Sequence, residues 1–455
     1  MKRVGFIRRI GEVLRTRHRQ RHTRDRQSGV ALLMSISMLA MLIALSSEFT
    51  YGTSIHAMQA ANARDEIRAH YMARSAVSIA RLLIKIQQRF VEPIMKQASQ
   101  MLNQATGGDL GISLRVTDYA GPIMGFFGGS KEEVGMLGGL IGLNTAEAKG
   151  LGLKGGRMDA EISTEDGKID INCGGGPTAN RGRQKIVYRM LSALFLSPRY
   201  NKLFSEMNKD GQFIDRNELS RAVVDWADGD YQMFSLEDGA SGAEDYRYDK
   251  PPDPYRAHDN TYDTTGEIGM VRGMGGNSLQ AFMPYLTVYA SDERTQCRVN
   301  LASVKGDCTP LLVGLVRAAL IPDPNKLPSD PSILDDQRIY PLASILCERG
   351  TAVGFDSLDT IVSVLANPQA SIARDDPRYA LMQNMRGITI KRQDLETVAY
   401  VGAPRVYRIV ATGEAGKVKK KITAIVDTGR GLDNPVTLNP QSEKASGVLQ
   451  YWREE

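Results

Sequence analysis

Histidine, tryptophan and cysteine are scarce in this chain: five, two and four among 455 residues. His18 and His22 lie in a basic N-terminal tail, His56 and His70 follow an apolar run, and only His258 stands further along. A hydrolase with an activated nucleophile needs a base beside it, and a catalytic zinc needs nitrogen or sulfur ligands. No C-x-x-C, H-E-x-x-H, G-x-S-x-G or P-loop occurs. No catalytic residue is therefore assigned, and the chain is expected not to be an enzyme. Gly150-x-Gly152-x-x-Gly155 has the spacing of a dinucleotide fingerprint, which needs a strand before it and a helix after it. Polar NTAEAK precedes it and strand-like RMDAEIS follows, so that reading is excluded.

Basic charge is also missing from most of the chain. The formal net charge is +5, but ten Lys and Arg against two acids up to Gly29 supply +8, leaving −3 for the remainder. A nucleic-acid footprint needs a basic face on the folded part, so no nucleic-acid partner is expected.

Charge is absent altogether from residues 30 to 45, VALLMSISMLAMLIAL. At ~1.5 Å per residue this run spans roughly 24 Å, and Phe49 and Tyr51 extend it toward the ~30 Å of a hydrocarbon core. The Arg-rich tail places the N-terminus in the cytoplasm and the bulk of the chain outside. A buried core helix fits poorly beside ten basic residues. Cleavage at the small-x-small site Ala44-Leu45-Ser46 would make the run a signal peptide and the product a soluble periplasmic protein. The third reading starts from Arg26-Gln27-Ser28-Gly29-Val30-Ala31-Leu32-Leu33, a basic stretch ending in Gly directly before the apolar helix.

That segment resembles the site cut by prepilin peptidase. The resemblance implies that Gly29 ends the leader, that Val30 becomes an N-methylated N-terminus, and that the apolar helix stays as an anchor. Pilins and major pseudopilins usually carry Glu at the fifth mature position, here Met34; minor pseudopilin K of type II secretion systems typically lacks it. The segment Val223 to Met274 carries the more specific likeness. Asp225-Trp226-x-Asp228-x-Asp230, Gly242-Ala243-Glu244-Asp245, Pro254-Tyr255-Arg256 and Glu267 to Met274 closely resemble minor pseudopilin K in order and spacing. The resemblance implies an α+β, pilin-like fold: a long N-terminal transmembrane helix, an antiparallel sheet and a large inserted, mainly helical domain. It also implies single-pass inner-membrane localisation with a periplasmic head. The partners would be prepilin peptidase, the inner-membrane assembly platform and other minor pseudopilins through their N-terminal helices. The role implied is initiation of the pseudopilus at its tip; a minor pilin of a type IV pilus is the alternative.

Clustered carboxylates without His are ligands for hard cations, and calcium accepts six to eight oxygens in irregular geometry. Family members bind calcium in this region, which directs attention to Asp228, Asp230, Glu244 and Asp245, with Asp259, Asn260 and Asp263 as outer candidates. Glu206-x-Asn208-x-Asp210-Gly211 begins like an EF-hand loop, but Glu218 falls one residue late.

The domain reading follows from these segments. Residues 1–29 form the leader and 30–105 a helix with a kink at Pro93. In the latter, Met72, Ala76, Ile79, Leu83, Ile86 and Phe90 make an apolar stripe. A Gly-rich insertion occupies 106–160, the inserted helical domain 161–385, the C-terminal strands 386–432 and a flexible tail 433–455. GKIDINCGGG and CRVNLASVKGDC each precede a helical run, as duplicated units would. Tyr407–Gly413 and Lys417–Asp427 read as a hairpin, and Gly387–Arg392 and Thr397–Val401 as further strands. Four cysteines allow three pairings. Outside the cytoplasm disulfides form, and the short Cys297 to Cys308 loop makes that pair the expected one, leaving Cys173 and Cys347 as a second disulfide or as an unpaired buried set.

Overall fold

A computed structural model describes residues 4–106, 115–128, 156–207, 213, 215–236, 242–244, 248, 254–290, 296–321, 337–352, 354–355, 357–371, 376, 378–383, 385–429 and 447–455, with backbone alone at 4–28, 99, 102–106, 125–128, 370, 371 and 381. The Gly-rich segment expected at 106–160 lies largely outside these residues, as does most of the EF-hand-like stretch.

One helix, α1 (Val4–Ile86), carries the apolar run and continues far beyond it. From Val30 to Tyr51 its large apolar side chains are exposed, with no protein packed on them, and it is long and apolar enough to cross a membrane. The polar residues within this stretch satisfy themselves. Ser35, Ser37, Ser47 and Thr50 each donate to the carbonyl four residues back, at 2.5–2.8 Å. Such back-bonding suits a helix in lipid, where water cannot compensate a hydroxyl.

Beyond residue 68 one face of α1 becomes buried: Ala69, Met72, Ala73, Ala76, Val77, Ala80, Leu83 and Ile84. They pack on a four-stranded antiparallel sheet of order β1-β6-β7-β8, comprising β1 (Gly156–Thr164), β6 (Val406–Ala415), β7 (Val418–Asp427) and β8 (Val448–Glu454). Period-two alternation turns Met158, Ala160 and Ile162, then Tyr407, Ile409 and Ala411, then Ile422, Ala424 and Val426 toward the helix. Alanines on α1 permit a close approach. At Gly413 a Cβ would lie 2.1 Å from the Ala69 carbonyl oxygen and 2.6 Å from the Ala73 nitrogen.

The expected stripe holds as far as Leu83 and fails at Phe90, which is 61% exposed. A π-helical turn, Gln87–Val91, precedes α2 (Glu92–Thr106). Pro93 has no N–H and its ring clashes with the carbonyl four residues earlier; the widened turn absorbs both and rotates the stripe out of phase. A short helix, α3 (Ala120–Gly128), then packs against β1 and α1.

The chain leaves the sheet after Thr164 and returns at Val406, so β1 belongs to the sheet and the inserted unit spans 165–405 instead of 161–385. Its elements in order are β2 (Ile169–Asp170), α4 (Arg181–Phe195), α5 (Asn201–Ser205), α6 (Arg216–Asp225), α7 (Asn277–Phe282), β3 (Leu286–Thr287) and β4 (Val299–Asn300). There follow α8 (Thr309–Leu320), α9 (Ile339–Ala352), α10 (Leu358–Ala366), α11 (Tyr379–Gln383), α12 (Arg392–Glu396) and β5 (Ala399–Tyr400). The repeat seen in sequence reappears as β2 leading to α4 and β4 leading to α8, with α4 packed on α8. Gly314 allows this contact, since a Cβ there would stand 3.0 Å from the Leu194 Cα. Each repeat also uses its Asn as a backbone clamp. Asn172 bonds Tyr262 and Val288, and Asn300 bonds Ala302 and Gly402.

Three further expectations are corrected. The disulfides are Cys173–Cys297 and Cys308–Cys347, with Cα atoms 5.4 and 5.5 Å apart, so Cys297 does not pair with Cys308. The stretch between Cys297 and Cys308 is no loop. It pairs as β4 with β5 and continues as a 3-10 turn, Leu301–Ser303, directing the two sulfurs to different neighbours. The tail does not end loose: Val448–Glu454 is β8, completing the free edge of β7. Of the strands expected in 387–401 only Ala399–Tyr400 forms, and Arg392–Glu396 is helical.

Candidate metal centre

Helix α6 begins with Asp215 as its cap, accepting from Asn217 N at 2.9 Å, and ends at Asp225. Asp228 follows three residues later, a spacing that brings both carboxylates to one side of the helix end. The segment Tyr231–Met233 pairs with Gly242–Glu244: Met233 N donates to Gly242 O at 3.1 Å and Glu244 N to Tyr231 O at 3.4 Å. This pairing carries Glu244 back over the helix terminus. Asp225, Asp228 and Glu244 offer oxygens that all lie within 4.8 Å of one another, and each residue is 2% exposed.

One face of the cluster is rigid protein. Gln184 on α4 donates from Nε2 to Asp228 Oδ2 at 3.0 Å, and Phe234 N donates to Asp225 Oδ1 at 2.6 Å. Among the described residues, no donor reaches Asp228 Oδ1 or either oxygen of Glu244. Three buried carboxylates at this separation repel, and burial removes the water that would screen them. Burial first, then Asp230 and Asp225, push the Asp228 carboxyl far above its usual range. Burial, then Asp225, Asp228, Asp259 and Asp230, push Glu244 up as well. A buried set of carboxylate oxygens, with Asp228 Oδ1 and both Glu244 oxygens accepting from no described donor and with no nitrogen or sulfur ligand in the set, is what a hard divalent cation neutralises, and its chemistry is that of calcium sites. Asp225, Asp228 and Glu244 are the residues that could hold such an ion.

The fate of each expected residue is specific. Asp228 and Glu244 meet. Asp230 is exposed at the rim, its Oδ1 accepting from Gln232 N at 2.7 Å, and it reaches the cluster through its charge. Asp245 lies outside the described residues. Asp259, at φ 51°, contributes its charge to Glu244, whereas Asn260 turns to Thr261 N and Asp263 faces solvent. Asp225 completes the cluster although it is not among the residues expected from sequence; its three-residue spacing from Asp228 at a helix end is the signal that identifies it.

Aromatic packing walls the cluster. The Trp226 ring centroid lies 5.5 Å from that of Tyr248, 6.2 Å from Tyr255, 6.3 Å from His258 and 6.4 Å from Tyr262. The Tyr262 hydroxyl donates to Val223 O at 2.9 Å, tying the wall to α6.

Comparison with known proteins bears on this segment. Residues 185–291, which include every residue of the cluster, match the family model for type II secretion system (T2SS), protein K. No curated protein matches the chain significantly. A chain in the crystal structure of the GspK–GspI–GspJ complex from the enterotoxigenic Escherichia coli type 2 secretion system is 14% identical. The match covers 66% of this chain and 80% of that one, with a TM-score of 0.38.

Proposed function

We propose that this chain, whose residues 185–291 carry the protein K domain of type II secretion systems, is a minor pseudopilin that caps and initiates the pseudopilus. The single observation that carries the reading is the union in one chain of that domain and a membrane-length helix running directly into a sheet-packed stalk.

Geometry supports the tip position. The hairpin turn between β6 and β7 meets α1 near its membrane side, where Gly416 abuts Asp65. At the other end of the sheet Gln88 donates to Pro404 O at 3.1 Å and Thr428 Oγ1 at 2.8 Å. The two contacts are separated along α1 by roughly 35 Å at ~1.5 Å per residue. The chain enters and leaves the inserted unit at this far end, through Thr164–Glu165 and Arg405–Val406, and the unit also packs on Arg408, Ile425 and Tyr451 of the sheet. In this reading it fills the space into which a further subunit would stack. Met34 at the fifth mature position agrees, since a terminal subunit has no amine ahead of it to neutralise.

In this reading prepilin peptidase cuts after Gly29, the exposed apolar helix anchors the subunit with its head in the periplasm, and the same helix later packs on those of other minor pseudopilins at the assembly platform. Calcium at Asp225, Asp228 and Glu244 holds the inserted unit in shape; it does no chemistry.

The test is the N-terminus of the protein isolated from membranes, read by intact mass spectrometry. A chain starting at N-methylated Val30 supports the proposal. A start near Ser47 in a soluble periplasmic fraction overturns it and leaves a calcium-binding protein without an anchor.

A further inference from the structure

We propose that the Cys173–Cys297 disulfide is the positioning element of the cation cluster, so that closing this bond and binding the cation are coupled. The inference rests on the cation reading above and adds to it a dependence on redox state.

Cys173 ends a turn that continues as Gly174-Gly175-Gly176, and this glycine run lies against the backbone that presents the cluster. Gly176 N donates to Ala227 O at 2.7 Å, and Gly176 forms a parallel bridge with Asp228. A Cβ on Gly175 would stand 2.5 Å from the same Ala227 oxygen. Gly174, at φ 91°, faces the other way; a Cβ there would meet Gln184 N at 2.8 Å. Gln184 is the residue whose amide fixes Asp228. On the opposite sulfur, Cys297 Sγ sits 3.8 Å from the Arg183 carbonyl oxygen, one residue before Gln184. The Cys297 sulfur thus touches the frame that orients Asp228, and the Cys173 backbone runs directly into it, each at one remove from the carboxylate.

The bond closes 124 residues of chain, and that loop contains Asp225, Asp228 and Glu244. Without it the glycine run, the least constrained backbone in the region, is held to Ala227 by one hydrogen bond. The crowding of three buried carboxyl groups, whose oxygens lie within 4.8 Å of one another, then acts on a frame that is free to move. The other disulfide, Cys308–Cys347, closes only 39 residues, joins the start of α8 to α9, and among the described residues makes its hydrogen bonds with Gly306 and within itself, none of them with the cluster's carboxylates. It serves as an internal control. Because coupling is reciprocal, whatever factor the disulfide adds to cation affinity, the cation adds to the stability of the disulfide.

The experiment uses the full chain in detergent, with calcium chloride as the probe. Calorimetric titration of the oxidised protein comes first; absence of binding there refutes the cation reading itself. Where binding occurs, the Cys173→Ser/Cys297→Ser variant is expected to bind calcium at least tenfold more weakly, and Cys308→Ser/Cys347→Ser within threefold of the parent. Equal affinity in both variants overturns the coupling while leaving the site intact. A second measurement needs no variant: the rate at which dithiothreitol reduces each disulfide, followed by mass spectrometry in calcium and in chelator. Calcium is expected to slow reduction of Cys173–Cys297 at least tenfold and to leave Cys308–Cys347 unchanged. Equal protection of both bonds, or of neither, refutes the inference.

Discussion

Replacing Glu244 by Gln should invert its effect on stability depending on whether calcium is present. The oxygens of Asp225, Asp228 and Glu244 lie within 4.8 Å of one another, so at an effective dielectric of ~20 each ionised pair costs about 3 kcal/mol. Glu244 takes part in two of the three pairs. Partial protonation relieves much of this without cation, so removing the charge should gain about 1–3 kcal/mol in chelator. With calcium at a hundredfold excess over its dissociation constant, the wild-type protein gains about 2.7 kcal/mol. At 2–4 °C per kcal/mol for a unit of this size, that raises Tm by about 5–10 °C. The variant loses a ligand and most of that gain. Scanning calorimetry of the full chain in detergent should therefore give Glu244→Gln a higher Tm than wild type in chelator and a lower one in calcium. A Tm loss of the same size under both conditions would show that Glu244 acts as ordinary packing, and a wild-type Tm indifferent to chelator would falsify the cation reading.

Terbium in place of calcium should luminesce when excited through Trp226, which lies between Asp225 and Asp228 in sequence; Trp226→Phe should abolish most of the signal and Trp452→Phe little of it. Gly413→Ala puts a Cβ against the Ala69 carbonyl and should cost about 1–3 kcal/mol, read as a lower Tm and faster proteolysis of the stalk helix. Asp166, whose Oδ2 accepts from Arg405 N and Val406 N at 2.7 and 2.8 Å, is pushed up to about 6, chiefly by burial. Because the native state holds this proton more tightly than the unfolded chain, its contribution is full below about pH 4 and is lost as pH rises through 6. Between pH 5 and 8 that loss is about 1.4 kcal/mol, and Asp166→Asn should flatten denaturant-derived stability over this interval by that amount; an unchanged slope refutes the assignment.

The long apolar helix was legible because a stretch without charge beside ten basic residues has few physical solutions. The β6–β7 hairpin was legible because alternation around Glu414-Ala415-Gly416 has period two. Phe90 was misplaced because helical phase was carried through a π turn that only Pro93 hinted at. β8 was missed because its strand character comes from the open edge of β7 more than from its own pattern. At the cluster, Asp228 and Glu244 could be picked from a run of acids. Which acids converge, however, depends on a pairing between 231–233 and 242–244 that sequence does not announce. The cysteine pairing was misread for a related reason: closeness along the chain stood in for closeness in space, and β4 lies between the two residues.

Because the chain passes out of the sheet at Thr164 and back at Val406, side by side in the β1–β6 ladder, the inserted unit is attached to strands that α1 already braces. A pull or push along α1 enters the sheet over the helix's buried face, from Ala69 to Ile84, and is shared among β1, β6 and β7 by their hydrogen-bond ladders. The inserted unit can thus keep a shape set by its own disulfides and packing while load along α1 is taken up by the strands.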